Sequence, residues 1–76
     1  MKKEMTESEF DKEVSEGKAR LIGSGRSKGF DTEFYRVSSG DVYMISIDPV
    51  STWSNGPYLI DEPLDDAGII KHFGLK

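Results

Sequence analysis

Alternating apolar and polar residues over Phe30–Ile47 give the chain its clearest pattern, which is that of two β-strands joined by a tight turn. Ser39-Gly40 lies near the middle of this stretch, and glycine tolerates the positive φ that a two-residue hairpin turn requires. A turn at these two residues pairs Val37 with Val42. The pattern therefore predicts an antiparallel hairpin around which the other elements are arranged.

In this register the hairpin has two different faces, because successive side chains of a strand point to opposite sides. The predicted core face carries Phe30, Thr32, Phe34, Tyr43, Ile45 and Ile47. The other face is acidic at one end, and near the turn it carries Tyr35, Val37, Val42 and Met44. If only one face of the sheet is covered, these four residues form an exposed apolar patch, which is typical of a partner-binding surface. The alternative is that the first helix or the C-terminus covers them and the domain has three layers.

A helix is predicted before the hairpin, over Glu7–Glu16. Thr6 and Glu9 have the spacing of a capping box, and residues 1–5 ahead of it are expected to be frayed. The apolar stripe of this helix is thin, since it consists of Phe10 and Val14. We therefore expect the helix to lie on the surface.

The segment between this helix and the hairpin is predicted to contain a short strand at Lys18–Gly23 and then a flexible loop at residues 23–29. Three glycines and no apolar residue within these seven positions are the reason for predicting a loop.

The C-terminal part predicts a second hairpin and a second helix. Asn55-Gly56 is the strongest turn signal in the chain, and a two-residue turn there pairs Trp53 with Tyr58. Pro57 places this hairpin at the edge of the sheet, because proline donates no hydrogen bond to a neighbouring strand. A helix is expected to open at residues 61–63 and to end at Gly74.

The order α-β-β-β-(β)-α predicts an α+β fold, in which an antiparallel sheet of three to four strands packs with an N-terminal and a C-terminal helix as a two-layer sandwich. The 76 residues allow a single small domain over 1–76.

The composition narrows the chemistry that we expect. The chain has no cysteine, which excludes disulfides and thiolate chemistry and is typical of a reducing compartment, so we expect a cytoplasmic protein. With one histidine, His72, and no thiol, we expect no metal site, and no cofactor motif is present. No apolar run is long enough for a membrane helix, so no membrane association is expected. His72 near the predicted helix end is expected to interact with the last carbonyls rather than to act in catalysis.

Charge is unevenly distributed along the acidic chain, whose net charge is −4. Residues 18–36 carry five basic residues against two acids, and the segments on both sides are acidic. Four of these cations, Arg20, Arg26, Lys28 and Arg36, define an alternative site for an anion or a nucleic acid, with the glycine-rich segment as a nest for phosphate. The loop does not match the phosphate-binding pattern G-x-x-x-x-G-K-[ST].

Two further clusters have both a functional and a structural interpretation. Trp53 and Tyr58 form either an aromatic binding hot spot or a cross-strand pair that closes the core. The acidic run Asp61, Glu62, Asp65 and Asp66 could bind a cation or present phosphate-like charge to a basic partner. The structural interpretation, that these are the N-terminal acids of a helix, is favoured.

These features favour a small non-catalytic module that works by protein–protein contact, through the apolar hairpin patch together with Trp53 and Tyr58. A chain of this size and charge suits a regulator or inhibitor of a larger assembly, including a phage-type inhibitor of a nucleic-acid enzyme. Its partner is expected to be a protein, and a homodimer is one candidate because a small core gains from a second copy.

Overall fold

The computed structural model describes residues 4–76 as an antiparallel sheet with one helix at each end of the chain. The elements are helix α1 (Glu7–Ser15), strands β1 (Arg20–Ser27), β2 (Phe30–Arg36), β3 (Val42–Ile47) and β4 (Ser54–Ile60), and helix α2 (Asp66–Phe73). The strands lie in the order β1-β2-β3-β4, and each pair is antiparallel. The predicted α+β fold is confirmed. The predicted fraying of residues 1–3 lies outside the described residues.

Helix α1 begins where the sequence predicts and ends at Ser15, one residue before the predicted Glu16. The Thr6 hydroxyl accepts a hydrogen bond from the Glu9 backbone N–H at 3.2 Å, and the Glu9 carboxylate accepts one from the Thr6 N–H at 3.0 Å. At the other end, the Lys18 N–H donates to the Glu13 carbonyl at 2.8 Å, which is the closing hydrogen bond of a Schellman motif. Met5 is half-buried against the cluster around Phe10, so it is not part of a frayed end.

The segment predicted as a flexible loop at residues 23–29 is instead the second half of β1 and its turn. The tight turn lies at Lys28-Gly29, where both residues have positive φ as a type I′ hairpin requires. The glycines of β1 make room for the C-terminus: a Cβ at Gly23 would lie 3.0 Å from the Cβ of Leu75. These glycines allow close packing. A glycine-rich sequence alone does not show whether its glycines serve packing or flexibility, so the loop prediction was wrong.

The hairpin of β2 and β3 is present, but its register is shifted by one residue from the predicted one. Phe34 lies opposite Met44 and Tyr35 lies opposite Tyr43. The cause is the turn, because Val37 and Asp41 close a three-residue loop in which Gly40 has φ +93°. A turn of this kind adds one residue to the predicted two-residue connection.

Both faces of the sheet are covered, each by one helix. One cluster of buried residues lies under α2 and consists of Phe34, Val42, Ile69 and Leu75. The other lies under α1 and consists of Phe10, Val37 and Tyr43. Neighbours along a strand, such as Phe34 and Tyr35, belong to different clusters, so the helices pack on opposite faces. A helix therefore packs on each face of the sheet. Of the two alternatives for the second face of the hairpin, exposed or covered, the covered one is observed.

The predicted turn at Asn55-Gly56 is wrong, because both residues lie inside β4. The chain reverses earlier, at Asp48–Trp53, where the Asp48 N–H donates to the Trp53 carbonyl at 2.8 Å. Gly56 instead forms part of a bulge opposite β3, with φ +116°, and β4 is an edge strand as Pro57 predicted.

Helix α2 begins later than predicted. Its N-cap is Asp65, whose carboxylate accepts from the Gly68 N–H at 2.8 Å, so residues 61–63, which were expected to open the helix, lie in the connection before it. Gly74 ends the helix as predicted.

Candidate functional site

The four hairpin residues predicted as an exposed partner-binding patch are not one surface. Val37 and Val42 are each only 3% exposed, and Tyr35 and Met44 are half-buried. Tyr35 and Val37 pack beneath α1, while Val42 and Met44 pack on the α2 side. The one-residue shift in register separates the two pairs onto opposite faces, and the helices then cover both.

Three of the four cations predicted as an anion site are engaged within the chain. Arg36 donates through Nε to Asp66 Oδ1 at 2.7 Å, and Arg20 pairs with the other oxygen of the same carboxylate. Arg26 pairs with Asp31 across β1 and β2 at 3.1 Å. Lys28 is exposed at the turn between β1 and β2. The arrangement neutralises charge instead of concentrating it.

Asp65 and Asp66 in the acidic run therefore have structural roles, the first as a helix cap and the second as the carboxylate shared by two arginines. Within residues 4–76, no three side chains of histidine, aspartate or glutamate are grouped as a metal site. His72 is exposed, and its ring contacts Phe73 edge-on, with centroids 4.7 Å apart.

The aromatic pair predicted at the second hairpin does not form. Tyr58 lies opposite Met44, on the side of the sheet that α2 covers, and 46% of it is exposed. Trp53 lies on the Asp48–Trp53 loop and shares a shallow depression with Glu7 of α1, so it belongs to the other side. Trp53 is 75% exposed, and Val50 of the same loop is 91% exposed.

A cleft of about 250 Å³ lies between α1 and the sheet, beside this loop. Its apolar walls are Phe10, Val14, Tyr35, Ile45 and Ile47, and its acidic residues are Glu7, Asp11 and Glu33. The cleft exists because the thin apolar stripe of α1 covers only part of this face. We call the cleft and the Asp48–Trp53 loop together the α1-side surface.

The wall of the cleft is held by two contacts of Tyr35. Its ring meets Phe10 edge-on with centroids 5.3 Å apart, a favourable geometry for aromatic rings. Its hydroxyl donates to Glu33 Oε1 at 3.1 Å. Burial, and then the neighbouring Glu33 carboxylate, raise the pKa of Tyr35 above its usual value of 10.0. At neutral pH the phenol is protonated and donates this hydrogen bond.

The loop that presents Trp53 is fixed by its own hydrogen bonds. Asp48 Oδ1 accepts from the Val50 N–H at 2.9 Å, and the Thr52 N–H donates to the Asp48 carbonyl at 2.9 Å. Thr52, directly before Trp53, has φ +61°, which is a strained conformation for a β-branched residue. Strain of this kind persists where the surrounding structure over-determines it, and it is frequent at functional sites.

The loop predicts a pH response. Hydrogen bonds from the Val50 backbone and then from Ser51 lower the pKa of Asp48 below its usual 3.8. A lowered pKa in the folded state means that the ionised carboxylate stabilises the loop near neutral pH and that this support is lost as pH falls through the lowered pKa. The fluorescence of Trp53, the only tryptophan, should therefore stay constant from pH 8 to 5 and change below 3.8.

At neutral pH, Asp48→Ala should reproduce that change and speed amide exchange at Val50, on the order of fivefold, because one hydrogen bond is lost. Glu62→Ala, which removes an exposed acid elsewhere, should do neither. An unchanged Val50 exchange rate in Asp48→Ala would show that the carboxylate does not hold the loop.

Comparison of the chain with protein-family models, with curated proteins and with solved structures finds no match. No helix within residues 4–76 is long and apolar enough to cross a membrane.

The sequence interpretation singled out Trp53 but missed the cleft and its acids. A signal for the cleft was present, since the apolar stripe of α1 is too thin to cover a sheet face. Glu7 and Asp11 flank that stripe at i and i+4, which places them on one side of the helix.

Proposed function

We propose that this protein is a small non-catalytic protein-binding module that docks a protein partner on the α1-side surface and acts as a regulator or inhibitor of a larger assembly. The exposure of Trp53 on a hydrogen-bonded loop beside an apolar cleft carries this proposal. Tryptophan is the residue type most enriched among binding hot spots, and burying it on contact supplies much of an interface's free energy.

Two features favour a protein over a small molecule as the partner. The cleft is an open groove at the surface, whereas most small-molecule sites bury the greater part of their ligand. The loop beside it exposes large side chains outward, so its apolar area is suited to burial against another surface. The absence of cysteine from the chain supports a cytoplasmic location for this interaction.

The rival function, anion or nucleic-acid binding through residues 18–36, receives less support. Arg20, Arg26 and Arg36 would have to give up their carboxylate partners before they could bind phosphate. We therefore favour the α1-side surface as the place where a partner docks.

The test compares two exposed aromatic residues on opposite sides of the sheet. Tagged wild type, Trp53→Ala and Tyr58→Ala are each used to capture proteins from a lysate of the source cells, followed by mass spectrometry and affinity measurement on the purified partner. Trp53→Ala should weaken that affinity about thirtyfold, as expected for a hot-spot tryptophan, and Tyr58→Ala should not.

A partner that binds Trp53→Ala as tightly as wild type would refute docking on the α1-side surface. Circular dichroism of the variants is the control for folding. Sizing of the wild type in solution separates a foreign partner from a second copy of the chain, which would appear as a dimer that Trp53→Ala dissociates.

A further inference from the structure

The acids of α1 and of its C-cap residue, Glu16, fall into two groups, and the difference indicates the chemistry of the partner. Glu9 serves the capping box, Glu13 accepts from the Ser38 N–H and hydroxyl at 2.9 and 2.7 Å, and Glu16 pairs with Lys18 at 3.1 Å. These three carboxylates are satisfied within the chain and stabilise the helix and its neighbours.

Glu7 and Asp11, the two α1 acids that line the cleft, form no hydrogen bond or ion pair through their side chains within the described part of the chain. They are one helical turn apart, and like charges at this spacing destabilise a helix. Glu33 adds a third negative charge to the cleft. None of the described residues that line the cleft is a lysine or an arginine.

The walls between these acids are apolar and only half covered. Ile45 and Ile47 are half-buried, and Val14 is 40% exposed. An occupant must therefore match two properties at once, an apolar group for the walls and positive charge for the rim. A side chain with a hydrocarbon body and a charged end, or an apolar residue with basic neighbours, has both.

We propose that the cleft binds a basic segment of a protein partner, in which one large apolar side chain enters between α1 and β3 and adjacent lysines or arginines lie against Glu7 and Asp11. This inference rests on the proposed function and specifies its partner. Opposite charge would steer the two surfaces together and fix the orientation of the segment, while the apolar contact and Trp53 supply most of the affinity.

The experiment uses a random dodecapeptide display library, selected on the immobilised full chain. The selected sequences should combine an aliphatic or aromatic residue with flanking lysines or arginines. A synthetic peptide of the enriched sequence is then titrated against wild type, Asp11→Lys and Glu62→Lys. The last two change the net charge equally, but only Asp11 lines the cleft.

Affinity for the peptide should fall on the order of tenfold in Asp11→Lys and remain within twofold of wild type in Glu62→Lys. It should also weaken as salt is raised, since screening reduces attraction between exposed charges. Selection of peptides without basic residues, or equal affinities for the two lysine variants, would overturn the basic-segment proposal.

One further variant, Trp53→Ala, separates this proposal from the broader one. Peptides that lose affinity with Trp53→Ala but not with Asp11→Lys would leave docking on the α1-side surface standing and remove only the basic segment. If neither substitution changes the affinity for the peptides, both the basic-segment proposal and docking on the α1-side surface are contradicted.

Discussion

Val42→Ser is expected to destabilise the protein strongly, although the sequence alone places Val42 on an exposed patch. Val42 is 3% exposed and packs in one cluster with Phe34, Ile69 and Leu75. Removing its methyl groups lowers the free energy of unfolding by about 1.5–3 kcal/mol. The new hydroxyl lowers it by about 1–3 kcal/mol more if it finds no hydrogen-bond partner. A domain of this size has about 4–11 kcal/mol of stability in total.

Thermal unfolding followed by circular dichroism measures this effect. A loss of about 3 kcal/mol lowers Tm by roughly 12–24 °C in a domain of this length. Val50→Ser is the matched control, because it makes the same chemical change at a valine that is 91% exposed. Val50→Ser should leave Tm within a few degrees of wild type, and a similarly small shift in Val42→Ser would mean that the α2 side of the hairpin is not core.

Tyr35→Ser tests whether the two clusters are separate. Tyr35 packs with Phe10 beneath α1, and it shares no cluster with Val42. Tyr35 and Val42 are neighbours across β2 and β3, but their side chains lie on opposite faces and belong to different clusters, so their losses should add more nearly than those of side chains in contact. The double variant should therefore lose the sum of the two single losses, whereas strong coupling would contradict two cores on opposite faces.

Local signals in the sequence were sufficient for the elements whose ends are set by short-range hydrogen bonds. The Thr6–Glu9 capping box and the stop after α1 are as predicted, and so is the end of α2 at Gly74. The edge position of β4 also follows from one residue, Pro57. In each case the deciding interaction lies within a few residues of the signal.

The register of the central hairpin could not be predicted in the same way, because two turn geometries compete for Ser39-Gly40. Both accept a glycine with positive φ, but the observed three-residue loop shifts every pair by one position. That shift moves Val42 and Met44 away from Tyr35 and Val37. The proposed apolar patch depended on the turn type, so it failed when the turn differed.

The α1-side surface depends on tertiary packing, which no local pattern encodes. The cleft requires that α1 and α2 lie on opposite faces and that α1 cover only part of its own. The choice of turn also decides where Trp53 lies. With a turn at Asn55-Gly56 it would face Tyr58, and with the observed Asp48–Trp53 loop it lies beside Glu7 instead.

Gly56→Ala should be among the most destabilising single-methyl additions in the chain. At φ +116°, Gly56 has a conformation that side chains rarely adopt, and an added Cβ would lie 2.9 Å from the Met44 carbonyl oxygen. Backbone strain costs about 1–2 kcal/mol, and relieving the clash requires a backbone shift that costs about 1–3 kcal/mol more. Gly40→Ala separates the two effects, because Gly40 has φ +93° but open space around it.

Urea unfolding measures both variants. We expect the free energy of unfolding to fall by about 1–2 kcal/mol in Gly40→Ala and by about 3 kcal/mol in Gly56→Ala. Equal losses would show that strain alone makes the glycine necessary. Gly56 also lines the cleft. A larger loss of unfolding free energy in Gly56→Ala than in Gly40→Ala would therefore mean that the bulge beside the cleft is fixed by close packing against β3.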